Sequence, residues 1–153
     1  MKKSPDQQEF EKLLRSSKFS SCGFLGQDPR EIWEIIEQDG ADVAQTGKTL
    51  SEIANRMEKL TTAGSKGLGD WVQIDHLLRV MVDDSRGMIP CPWPHRARFP
   101  KRTTTVNSLK TGLTLRWSDL NIHLIREHGF FEGRGSPFRI EPRTLVETIF
   151  PAA

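Results

Sequence analysis

The sequence predicts an α+β fold in which N-terminal helices precede a small antiparallel sheet, and a ββα unit closes the sheet. Three observations carry this. Residues 7–60 place apolar side chains at helical spacing between capping signals. Beyond about residue 67 the apolar period shortens to that of strands. After Trp117, Ser118-Asp119 reads as a new helix start.

The elements follow in order. Phe10, Leu13 and Leu14 give residues 7–19 a helical stripe, broken by Cys22-Gly23. Asp28 as N-cap with Pro29 at the first turn predicts a second helix, with Ile32, Trp33, Ile35 and Ile36 inward and Gly40 at its end. Thr49 and Glu52 have capping-box spacing, so a third helix is expected from about residue 49 or 50 to Leu60. Residues 62–70 read as a turn-rich linker.

Strands are expected at 71–74 and 77–82, a turn at 83–87, and a short edge strand at 88–91. Pro90, Pro92 and Pro94 exclude helix across 90–94. Thr103 to Asn107 and Leu113 to Trp117 read as a hairpin, followed by a helix over 119–128 and a last short helix from Pro142 to Phe150. A chain of 153 residues suits one domain, with possible lobes at 1–66 and 67–153.

The chain has four histidines and two cysteines. Three of those histidines and one cysteine form a single pattern. Cys91-x3-His95 is followed by His123-x4-His128, with the hairpin and helix between and beneath them. Thiolate and imidazole are the donors zinc prefers, and four of them close a tetrahedral site. On an ideal helix His123 and His128 would stand about 140° apart. Gly129 relieves that, because a C′ glycine lets the last turn tighten and swing His128 round. These residues predict one zinc per chain.

Residues 91–128 resemble the Cys2His2 zinc finger in using a hairpin and a helix bearing two histidines. They also resemble a treble clef in placing the knuckle before the hairpin. His95 stands where a finger has its second cysteine, and the 27 residues between the pairs exceed a finger's gap. Read apart from a metal, His128 before Gly129 also suits a helix C-terminus, and Cys91 suits a small buried site.

The net charge of +2 is unevenly spread. Residues 1–86 carry net −3 and residues 119–153 net −1. Residues 87–118 carry six basic groups and no acid, including Arg96, Arg98, Lys101 and Arg102. Such a field favours an anionic partner. Trp93, Phe99 and Trp117 interleave with it, as on a nucleic-acid surface or over a small core. The loop 133–139, with Arg134 and Arg139, suggests a second anion cradle.

No apolar run reaches the roughly 18 residues of a membrane span, and the N-terminal residues lack a signal-peptide core. The expected setting is cytoplasmic, where cysteines are thiols or ligands. The chain lacks His-Glu-x-x-His, a P-loop, a nucleophile elbow and a dinucleotide glycine fingerprint. The leading expectation is a zinc-bearing binding module for nucleic acid or for a protein. The alternative is a small metal-dependent hydrolase in which His95, His123 and His128 hold the metal, Cys91 is unbound, and Glu127 or Asp119 is the base.

Overall fold

A computed structural model describes residues 4–15, 23–95 and 97–151. Its elements run α1 (Pro5–Arg15), α2 (Ile32–Gln45), α3 (Leu50–Ser65), β1 (Val72–Ile74), β2 (Leu78–Pro90), β3 (Arg98–Ser108), β4 (Thr114–Ser118), α4 (Asp119–His128) and α5 (Pro142–Ile149). The four strands form one antiparallel sheet in the order β1-β2-β3-β4. The fold is α+β, as expected.

The first helix stops being described after Arg15, so the expected stretch 16–19 lies outside the described residues. α1 is tied to α2 by a cap supplied from outside. The buried Glu11 carboxylate accepts the Ile32 N–H at 3.1 Å, one of the four amides a helix start leaves without an internal partner. Asp28 is therefore not the N-cap. Its carboxylate instead takes the Arg30 guanidinium at 2.7 and 2.9 Å, and α2 begins three residues after Pro29 behind Glu31. Arg30 holds the Asp28 carboxyl well below the usual carboxylate range.

α2 also runs through Gly40 to Gln45. The glycine faces open space, and burial of Ile35, Asp39 and Val43 on the other face continues the helix across it. α3 begins with the expected Thr49/Glu52 capping box but continues five residues past Leu60. Those residues pack rather than link. A Cβ on Gly64 would lie 2.6 Å from Val80 Cγ1, so the missing side chain is what lets α3 lie close on β2.

β2 is one strand where a turn at 83–87 was expected. Arg86 and Gly87 are two extra residues between the pairs Ser85↔Lys101 and Met88↔Pro100, and Gly87 takes φ +103. The irregularity sits opposite Pro100, which has no N–H to give the ladder. Asp75 and His76 turn between β1 and β2 at positive φ.

One core joins α2 and α3 to the sheet through Met57, Leu60, Val80, Val106 and Trp117, and to α4 and α5 through Ile125 and Ile149. Trp117 is fully buried; its indole N–H donates to Thr61 Oγ1 at 3.0 Å. A second core gathers Leu14, Phe24, Leu25, Ile32 and Ile35 around Cys91, Leu120, Leu124 and Phe130. Among the described residues no helix is long and apolar enough to cross a membrane.

Two glycines on neighbouring helices should behave oppositely in chemical denaturation. Gly40→Ala is expected to stabilise the protein by about 1 kcal/mol, the helix-propensity gain at an exposed interior position. Gly64→Ala is expected to destabilise it by roughly 1–3 kcal/mol through overpacking against Val80 and Val82. A gain at both positions would contradict the close α3–β2 contact.

Candidate metal centre

Residues 91–97 join β2 to β3, so the knuckle is the tip of a hairpin. Cys91 N–H donates to Ala97 O at 3.0 Å and extends the ladder one step past Pro90↔Arg98. His95 N–H donates to Trp93 O at 2.7 Å and tightens the turn. The Trp93 N–H donates to the Cys91 sulfur, a bond that favours thiolate. The loop thus presents Cys91 and His95 on the same side.

The second pair comes from α4. Ser118 caps it in a box with Asn121, each side chain bonded to the other's backbone N–H at 2.8 and 3.1 Å. At the other end Gly129 takes the left-handed conformation, φ +62, and His128 is the last helical residue. Leu120 and Leu124 of this helix enter the second core, while Ile122 and Ile125 enter the first. With both flanks anchored, the edge carrying His123 and His128 has a fixed aim.

The four donors converge. His95 Nε2 lies 3.1 Å from His128 Nε2 and 3.3 Å from His123 Nε2, and Cys91 Sγ lies 3.6 Å from His128 Nε2. All four ligand atoms fall within 4.8 Å of one another. A tetrahedron drawn with zinc bond lengths has edges of about 3.3 Å between nitrogens and about 3.6 Å between nitrogen and sulfur. These three separations match those edges to a few tenths of an ångström.

The i,i+5 spacing of the histidines is overcome by stacking. The His128 ring lies flat on Trp93, centroids 4.0 Å apart and planes 9° apart, and Phe99 sits 4.5 Å from the His123 ring. Trp93 meets Phe10 and Phe130 edge-on at 4.8 and 5.5 Å. Trp93 and Phe99 therefore shape the cluster rather than form a stacking surface. Their positions inside the knuckle and just after it were the available sequence signal.

The surroundings disfavour the charged forms of Cys91, His123 and His128. Burial, then the neighbouring His123 and His95, pushes His128 down to about 4. Burial and His95 lower His123 as well, and burial raises the Cys91 thiol. At neutral pH His123 and His128 offer free lone pairs, and metal uptake would release the thiol proton.

The residues expected to bind anions are scattered. Arg98 and Lys101 are exposed on β3. Arg96 lies outside the described residues. Arg102 forks onto Asp119, Nε 3.1 Å from each carboxylate oxygen, which also occupies one of the candidate bases. Arg139 is turned inward, its Nη1 2.5 Å and Nη2 2.9 Å from the buried Asp39 carboxylate. The loop 133–139 does hold an anion, but its own: the Arg134 N–H donates to Asp28 Oδ2 at 3.1 Å. The Gly133 N–H is taken by Phe24 O at 2.8 Å. Arg134 itself is exposed, 3.6 Å from Glu141.

Compared with known proteins, the chain matches no family model, no curated protein and no solved structure.

Behind α4 lies a buried carboxylate that pattern reading did not single out. Glu132, at φ +65, accepts from Asn121 Nδ2 and from Ser136 Oγ, the latter at 2.5 Å. Burial pushes it up to about 7. A carboxyl raised in the folded state binds its proton more tightly there than in the unfolded chain. Its linkage therefore lowers stability as pH rises from about 4.5 to about 7. His128 acts in the opposite sense, since its lowered value makes stability rise with pH from about 4 to 6.5. The difference between wild type and Glu132→Gln isolates the first effect. In denaturant titrations the variant should gain on wild type as pH climbs from 4.5 to 7. A difference independent of pH would show that Glu132 is ionised throughout.

Proposed function

We propose that this chain is a zinc-bearing binding module in which one ion, held by Cys91, His95, His123 and His128, fastens the β2–β3 tip to α4. The observation that carries the reading is the set of donor separations, 3.1, 3.3 and 3.6 Å, close to the edges of a zinc tetrahedron. One thiolate with three imidazoles favours zinc over hard cations, which take oxygen donors. The role is structural, since four protein donors leave no vacant position and they join segments otherwise 27 residues apart. The three-histidine hydrolase has less support, because Cys91 Sγ faces the same centre as the imidazoles.

For a partner we propose an anionic one, nucleic acid first and a protein second. Support comes from Arg98 and Lys101, exposed on the strand that leaves the knuckle. A setting in the cytoplasm is consistent with thiol ligation.

Elemental analysis of protein made in zinc-replete medium should find about one zinc per chain. Because the binding energy of such a site is folding energy, His123→Ala should lower Tm by about 10 °C or more. His76→Asn, at an exposed left-handed turn, should change it little. Equal small shifts, or protein free of transition metal, would dismiss the structural zinc.

Binding to single- and double-stranded DNA and RNA across a salt series tests the partner. Arg98→Gln with Lys101→Gln should weaken binding and flatten the log–log salt slope by up to about two, one released counterion per lost contact. Failure of the unmodified protein to bind at low salt would shift the reading to a protein partner.

A further inference from the structure

Taking the zinc centre as proposed above, we infer that His95 is its exchangeable ligand and that the recess beside it admits a small anionic donor in its place. The four ligands are held unequally. Cys91 is 5% exposed, packed in the second core, with its amide in the sheet ladder and its sulfur taking an N–H from Trp93. His128 is clamped under Trp93, and His123 lies against Phe99. His95 is exposed; its ring meets only the rings of His123 and His128, at 5.1 and 5.3 Å, among the aromatic contacts of the described residues.

Its hydrogen bond also works against coordination. The Ala97 N–H points at His95 Nδ1 at 3.3 Å, and a backbone amide can only donate. That bond favours the tautomer with its proton on Nε2. A neutral imidazole bound to metal through Nε2 carries the proton on Nδ1, where it would meet the Ala97 N–H donor to donor. Metal-bound His95 gives up this bond, whereas released His95 regains it, its proton moving from Nδ1 to Nε2 through solvent. Exchange breaks one metal–nitrogen bond and forms one from the incoming lone pair, with no change of oxidation state.

The incoming donor has a place and a preferred charge. A recess of about 380 Å³ is lined by Pro90, His95, Ala97 and Arg98. A divalent ion with one thiolate and two neutral imidazoles would carry net +1, and Arg98 adds a second positive charge in the lining of the recess. Both favour an anionic oxygen, nitrogen or sulfur donor over a neutral one. The three remaining ligands still join the hairpin tip to α4, so the structural tie survives the exchange.

Cobalt(II) loaded into the full chain in place of zinc gives a visible spectrum that reports coordination, and thiocyanate serves as the anionic probe. We expect His95→Ala to keep one cobalt per chain with affinity lowered about tenfold, and His128→Ala to lose at least about a hundredfold. Thiocyanate should shift the wild-type cobalt spectrum saturably. Arg98→Gln should weaken that titration several-fold while leaving an imidazole titration unchanged. Equal cobalt loss in the two histidine variants, or a wild-type spectrum that thiocyanate does not alter, overturns the inference and leaves a closed zinc site standing. A wild type that takes up no cobalt overturns the zinc reading, and this one with it. Should circular dichroism show His128→Ala unfolded, the wild-type thiocyanate titration decides alone.

Discussion

The packing of α4 between two cores is the constraint from which the rest of the structure follows. A ten-residue helix has little stability of its own, and its aim is set by what it buries. Here Leu120 and Leu124 are drawn one way while Ile122 and Ile125 are drawn the other. Two apolar demands from different sides leave no rotation that satisfies both except the observed one. His123 and His128 are therefore brought to the hairpin tip by hydrophobic burial, before any metal contributes. Glu132 and Asn121 secure the helix start and Gly129 ends it, so its register is fixed at both ends.

Burial also sets the chemistry. Imidazoles crowded together in a partly apolar site cannot be protonated together, because each cation raises the cost of the next in a low dielectric. The same crowding that would be unfavourable for imidazolium suits a metal ion, which needs unprotonated nitrogen. The cluster is thus poised for a cation by the contacts that exclude protons. Cys91 would offset part of such a charge as a thiolate, and Trp93, flat on His128, covers one side of the cluster.

Much of this was legible in the sequence, and the parts that were not share a cause. The clustering of Cys91 and His95 with His123 and His128, the capping box at Thr49, the helix 119–128 and its glycine stop were all local signals of spacing and capping. What escaped depends on partners distant in the chain. Asp28 reads as an N-cap until Arg30 and the Arg134 amide claim its carboxylate. Gly40 reads as a helix end and Gly64 as part of a linker because propensity is local, while burial of Val43 and contact with Val80 are not. Residues 83–87 read as a turn because their composition is that of a turn. Pairing with β3 across a bulge holds them in the sheet. Arg102 leaves the basic block for the same reason: proximity in sequence did not show that it would be met by Asp119.

The unequal hold on the four donors then has a structural origin. Cys91 and α4 belong to cores that must form for the chain to fold at all. His95 belongs to a hairpin tip whose backbone bonds close the loop without needing its ring. A hydrophobic core can fix three donors because each lies on an element it buries. The fourth extends past the edge of that core, beside a recess and Arg98, where the Ala97 N–H and the two neighbouring imidazoles are its contacts. Fold stability and ligand exchange are in this way assigned to different residues of one site.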